Sequence, residues 1–338
     1  MKINIIKPDH LGDLVLSSPS IRVLLEKFPH ATLWVAPESI PLARYLFGGD
    51  HEVCPVVFPH LSKVNHSDRS SIGTLTRVLE SSDVNVFLRR DGPILELATG
   101  IRSQSILIQD DNMCHQSLLD RNALLPLTGD YSRTKHFFKK AQRFPSAGRL
   151  ERVGLVPGAG FTTNTWPESY WARFASLLLQ LGIDVCLIGA EDVLPRLRLI
   201  SDALGGHIAI VHCDNTFDWL NDVGEMDLVV AVDGGTAHLC SLVAPVMSIF
   251  GPSPWRRYAP FGACNVLLTR NAFCAPCQQF TSYSVNGCLY RHCLLEILPD
   301  EVFRIFELLC FGRDLPQDWN SDIFCVVGAS HLIMKKDR

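Results

Sequence analysis

Short apolar runs alternate with longer stretches in which apolar residues recur every three or four positions, beginning with the first residues of the chain. Lys2–Ile6, Thr32–Ala36, Val53–Phe58, Val84–Leu88 and Ser105–Ile108 read as buried parallel strands. Between the first two, residues 13–28 place Leu14, Ile21, Leu24 and Leu25 on one helix face, and Pro29 ends the helix. This rhythm predicts a doubly wound α/β sheet with helices on both sides. It weakens at RFPSAGRLE, Arg143–Glu151, the candidate linker. From Arg152 it restarts with VGLVPGAG, then a helix over Tyr170–Leu181, a strand over Ile183–Gly189 and a helix over Pro195–Leu204. Ile208–Val211, Leu228–Val232 and Val246–Phe250 complete the strands. The order predicts two tandem Rossmann-like domains, 1–148 and 149–312, facing a central cleft, and a tail, 313–338, to which the pattern gives no role.

Composition changes this picture little. The 338 residues suit two domains, and 47% hydrophobic with 20% charged residues is ordinary for a globular α/β protein. A net charge of −4 carries no basic footprint, which disfavours nucleic acid as a partner class, and none is expected. The uncharged run Gly234–Trp255 is long enough to suggest a membrane span, but Pro245, Gly251, Pro252 and Pro254 interrupt it, so buried core is expected. Ile323–Met334 is too short to span; a packed terminal segment is expected there, with peripheral membrane contact at most. MKINII runs straight into a strand with no signal peptide, so a cytoplasmic location is expected. Of twelve cysteines, Cys54, Cys114, Cys186, Cys213, Cys240, Cys264, Cys310 and Cys325 are scattered and read as small buried hydrophobes in a reducing compartment.

Four segments could carry chemistry. KPDHLGDLVLSSP follows the first strand, so Asp9, His10 and Asp13 should lie at the ligand-facing end of a sheet, with Gly12 allowing close backbone approach. Asp13 serves equally well as a helix cap. In VPGAGFTTNTWPESYW, Gly158 and Gly160 suit an anion at exposed N–H groups or a simple tight turn. Thr163 stands where a dinucleotide fingerprint needs its third glycine. In LVVAVDGGTAHLCSL a strand ends at Asp233, Gly234 and Gly235 turn the chain, and His238 falls in the first turn of a helix. There a diphosphate could rest on N–H groups and an imidazole. Cys274, Cys277, Cys288 and Cys293 form a CxxC followed by two thiols, either a closed zinc or iron site or reduced cysteines.

Taken in this order, the segments resemble the ADP-heptose:lipopolysaccharide heptosyltransferase family. The resemblance rests on Lys7, Gly12–Asp13 and Pro19; on Pro157–Gly158 with Trp166–Pro167; and on Asp233, Gly235 and His238 followed by Phe250-Gly251-Pro252. The CxxC segment closing with ILPDEV adds to it, and the likeness runs from residue 1 to about residue 310. It implies an inverting, metal-independent glycosyltransferase of GT-B architecture. The N-terminal domain would hold a glycan, lipid-linked or protein acceptor, and the C-terminal domain an ADP-sugar. Asp13 would be the general base, its pKa kept low by the helix start, with Lys7, His10 and Gly12 on the acceptor side. Gly158, Gly160, Thr162, Thr163, Asn164, Asp233, Gly234, Gly235 and His238 would meet the donor, and Glu191 its ribose. Any metal on the four cysteines would support folding, not chemistry. Two positions depart from the family pattern: Asn164 stands where a lysine meets donor phosphate, and Gly234 where a hydroxyl residue follows the aspartate. Two other readings stay open: a nucleotide-sugar binding protein without turnover, and an NAD-dependent oxidoreductase, against which the missing fingerprint counts.

Overall fold

The computed structural model describes residues 1–48, 50–58, 61, 70–129, 150–212, 216–260, 265–270, 272–277, 288, 290–312 and 323–327. The chain divides into two compact units, Met1–Phe137 and Phe138–Arg338. Both are α/β with a central, largely parallel sheet, the two Rossmann-like halves of a GT-B fold. The predicted linker falls mainly on residues 143–149, outside the described residues.

The first unit holds a five-stranded parallel sheet in the order β3-β2-β1-β4-β5, formed by Val53–Pro55, Thr32–Val35, Ile3–Lys7, Val84–Phe87 and Gln104–Leu107. β1, β2 and β4 are buried along their whole length, which is why they read as unbroken apolar runs. The third strand is half the expected length, because the chain leaves the sheet at Pro55. Helix α1, Leu11–Lys27, buries Leu14, Ile21, Leu24 and Leu25 as the spacing predicts, but starts two residues earlier, with His10 at the cap position.

The second unit orders seven strands as β12-β11-β10-β9-β6-β7-β8. These are Ile323–Val327, Asn265–Arg270, Val246–Phe250, Leu228–Val232, Arg152–Val156, Asp184–Ile188 and Ala209–Val211. Only β12 runs antiparallel, pairing with β11 from Val266↔Val327 to Arg270↔Ile323. The uncharged run Gly234–Trp255 is core as expected, and no described helix is long and apolar enough to cross a membrane. Trp166 is completely buried: its indole N–H donates to the Ile297 carbonyl at 2.9 Å, and its ring meets Trp171 edge-on at 5.1 Å. The Trp-Pro pair is therefore a packing anchor between the start of α6 (Glu168–Gln180) and the approach to helix Pro299–Phe311.

Cys186, Cys240 and Cys310 are buried, as expected of small apolar residues, whereas Cys54 and Cys114 are only half-buried and depart from that expectation. Cys213 and Cys264 lie outside the described residues, as does the side chain of Cys325.

Candidate active site

In each unit the strand order turns back beside its first strand. β1 lies between β2 and β4, and β6 lies between β7 and β9. Loops leaving the carboxyl ends of such neighbouring strands diverge and open a crevice. The residues singled out in the sequence sit on these loops.

In the first unit, β1 delivers Lys7 and Asp9, and the residues after β4 deliver Arg89 and Asp91. The Lys7 ammonium is 2.9 Å from Asp9 Oδ2 and donates to the Leu88 carbonyl at 3.0 Å. Arg89 ion-pairs with the other Asp9 oxygen, and its Nε lies 2.5 Å from Asp91 Oδ2. Asp91 in turn caps helix Gly92–Gly100 by accepting the Ile94 amide at 3.1 Å. Lys7 and Asp9 are each 2% exposed, so this is a buried ionic network, and Lys7 is turned inward instead of toward an acceptor. Burial pulls the Lys7 pKa down, but Asp9, Asp13 and Asp120 overcome it and raise the pKa. Burial pushes Asp9 up, and Lys7 with Arg89 outweigh it, holding Asp9 below its ordinary value.

Asp13 is the third residue of α1 and partly buried, next to this network. The cap position belongs to His10, which is exposed, so Asp13 is not the helix cap. The expectation of a low pKa at the helix start is overturned. Burial and the Asp9 carboxylate raise the Asp13 pKa, against the pull of Lys7, Arg89 and His10. A helix end acts weakly and over one turn, whereas desolvation and a like charge act at contact range.

Asp120 was not singled out in the sequence. It lies on α5, Gln116–Thr128, fully buried, with Oδ1 accepting from Gln116 Nε2 at 2.8 Å. Burial lifts its pKa to about 6 despite Lys7. Arg89 and Asp91 were missed too; their signal was a charged cluster directly after a buried strand.

In the second unit the loops after β6 and β9 meet. A Cβ on Gly234 would lie 3.6 Å from the Ala159 Cα, so the Pro157–Gly160 loop and the Asp233–Gly235 turn are in contact. Gly158 is required for packing, since a Cβ there would come within 2.8 Å of Val193 Cγ1. Around Gly160 the space is open. Asn164 closes the turn Thr162–Asn164, and its amide donates to Asp233 Oδ2 at 2.9 Å and to Ser253 Oγ at 3.2 Å. Thr163, Asn164, Asp233, Ser253 and His238 are all buried. His238 lies on α9, Gly235–Cys240, a helix of only six residues, which leaves little dipole to add to the imidazole. Glu191 opens the turn Glu191–Val193, which packs on Gly158 through Val193; its side chain is 85% exposed and 3.8 Å from His212 Nε2.

Cys274, Cys277 and Cys288 lie close enough to Cys293 to raise its pKa, after burial itself, to about 12. Three thiols near one buried sulfur are a soft donor set that a cation would relieve. Among the described residues, however, no group of three or more His, Cys, Asp or Glu is drawn together to metal-binding distances.

Glycosyltransferase family 9 (heptosyltransferase) matches residues 123–286. Lipopolysaccharide heptosyltransferase 1 of Pseudomonas aeruginosa is 25% identical, over 94% of this chain and 95% of its own. The structure of ADP-heptose lipopolysaccharide heptosyltransferase II of E. coli aligns with a TM-score of 0.62 at 17% identity, covering 91% of this chain and 98% of that one. An iron-containing dodecameric glycosyltransferase of enterotoxigenic E. coli aligns with a TM-score of 0.54 at 11% identity, covering 91% and 75%. The fold, the placement of the sequence motifs at both switch points and these relatives agree: the chain is a glycosyltransferase, similar to the heptosyltransferases of glycosyltransferase family 9.

Proposed function

We propose that the enzyme transfers a heptose from ADP-heptose to a hydroxyl of a lipopolysaccharide-type glycan, with inversion and on the cytoplasmic side of the membrane. Asp13 takes the proton of the acceptor hydroxyl as the new carbon–oxygen bond forms. The bond from the sugar carbon to the diphosphate breaks, and its electrons leave with ADP. The observation that carries this reading is the Asp13 carboxyl, set beside a buried Lys7–Asp9–Arg89 network, where burial and Asp9 raise its pKa above the ordinary carboxylate value. A carboxylate with a raised pKa is a stronger base than an ordinary one. Asp9, its rival in the loop, is clamped by two cations and held acidic.

The donor diphosphate rests on Gly158, Gly160, the Thr162–Asn164 turn and the Asp233–Gly235 turn, with His238 behind it. The backbone N–H groups and the hydroxyl and amide side chains of these turns are neutral donors that stabilise the departing charge without a metal ion. Where four cysteines hold a zinc or iron ion, it organises Cys274, Cys277, Cys288 and Cys293 and takes no part in transfer. A transfer assay with ADP-heptose, alongside calorimetry with ADP, UDP and NAD, tests the reading. Transfer with selective ADP binding supports it; tight NAD binding without ADP binding overturns it.

Binding without turnover is the second reading, and Asn164 is the observation that favours it, because its amide is committed to Asp233 and Ser253 where a phosphate cation is expected. Nucleotide binding with no sugar release or transfer would decide for it.

A further inference from the structure

The turn that carries Asn164 is not held by its own short helix alone. Thr165 closes it from within, donating through N–H and Oγ1 to the Thr162 carbonyl at 3.3 and 2.7 Å. From outside it is gripped by a residue 126 positions further along. Arg291 donates through one guanidinium nitrogen to the Thr162 carbonyl at 3.3 Å, the Thr165 carbonyl at 3.2 Å and Thr165 Oγ1 at 3.4 Å.

Arg291 belongs to the Cys-rich segment. Its amide points at Cys288 Sγ, 3.4 Å away, and its backbone adopts the left-handed conformation at φ 40°, ψ 34°. Only glycine takes that conformation without cost, so a bulky residue kept there is held by its surroundings. The same segment touches the opposite wall of the Asn164 site. The Cys277 amide donates to the Pro252 carbonyl at 2.9 Å, one residue before Ser253, and Leu294 fills the space that a Cβ on Gly251 would need. Ser253 and the Thr162–Asn164 turn are the two supports of the Asn164 amide, so the Cys-rich segment braces both.

We propose that Arg291 is a positioning residue for the nucleotide-sugar site: its guanidinium fixes the Thr162–Thr165 turn, and thereby the Asn164–Asp233 contact, from the Cys-rich segment. The proposal rests on the donor placement given above, for which ADP is the probe.

Arg291→Gly separates backbone from side chain, since it suits the left-handed conformation and deletes the guanidinium. Arg291→Lys keeps a charged donor. ADP affinity by calorimetry, KM for donor and for acceptor, metal content and melting temperature are measured on the full chain. Loss of charged hydrogen bonds of this kind corresponds to about tenfold in affinity. The expected result for Arg291→Gly is about tenfold weaker ADP binding and a matching rise in donor KM. Acceptor KM, metal content and melting temperature stay near wild type, and Arg291→Lys recovers most of the loss. ADP affinity within twofold of wild type in both variants overturns the proposal while leaving the donor site standing. A loss of affinity that only follows a lowered melting temperature or lost metal, unrescued by lysine, overturns it as well. If the wild-type protein itself does not bind ADP, the donor placement falls and the proposal falls with it.

Discussion

The two switch points are built from opposite materials. In the first unit Lys7, Asp9, Arg89 and Asp91 form a chain of ion pairs with Asp13 and Asp120 beside it. In the second unit the Asn164 amide donates to the buried Asp233 carboxylate and to Ser253 Oγ. The same α/β scaffold thus supports two electrostatic regimes. Stacked charges shift pKa values and suit proton transfer, whereas backbone and side-chain amides meet a diphosphate's charge with dipoles.

The sharpest way to break this comparison is Asp13→Asn. It keeps the shape and removes the basicity, and transfer should fall by about 10²- to 10⁴-fold. ADP binding and the melting temperature should stay near wild type. Transfer within a few-fold of wild type would move the base elsewhere.

Lys7→Met tests whether the first site is ionic at its foundation. It leaves the buried Asp9 carboxylate with Arg89 alone, and breaking a buried pair costs about 3–5 kcal/mol. Urea unfolding should show that loss, and a loss under 1 kcal/mol would place Lys7 outside the network's foundation.

A pH experiment isolates Asp120. Its folded pKa of about 6 exceeds the ordinary carboxylate value, so the folded protein holds this proton more tightly than the unfolded chain. Its contribution is favourable below about pH 4 and is lost as pH rises through 6, for a total of about 3 kcal/mol. Asp9 acts in the opposite sense at lower pH, so the useful quantity is the difference between wild type and Asp120→Asn. That variant should gain stability relative to wild type from pH 4 to 6 and hold the gain above. A difference independent of pH would show that Asp120 is ionised throughout.

The smallest effect belongs to the neutral site. Asn164→Ala leaves one acceptor of Asp233 without this donor, worth about 1–3 kcal/mol. Denaturation should show a smaller loss than for Lys7→Met, and the reverse order would invert the comparison.

Sequence pattern exposes some of these features and hides others for physical reasons. β1, β2, β4, β6, β7, β9 and β10 are legible because parallel strands covered on both faces become apolar runs. Helix α5 is not, because its buried residues include Gln116 and Asp120 and it contains Pro126, so the polar groups that bear on the site erase the apolar stripe. Asp13 and Asp233 are legible as polar residues just beyond such strands. Arg89 and Arg291 act through partners 80 and 126 residues away, a separation that no local period encodes. The Trp166–Pro167 pair is visible in the sequence, but its work is packing, which spacing alone does not distinguish from chemistry.

Among the described strands one alone, β12, runs against its neighbours. It comes from the segment beyond residue 312, and its backbone zips antiparallel along β11. Without it β11 would end the sheet with a free row of amides and carbonyls beside a buried, apolar strand, the kind of border that recruits a second chain. This strand therefore works as a selvedge, and a chain trimmed at 312 would lay that border open to self-association.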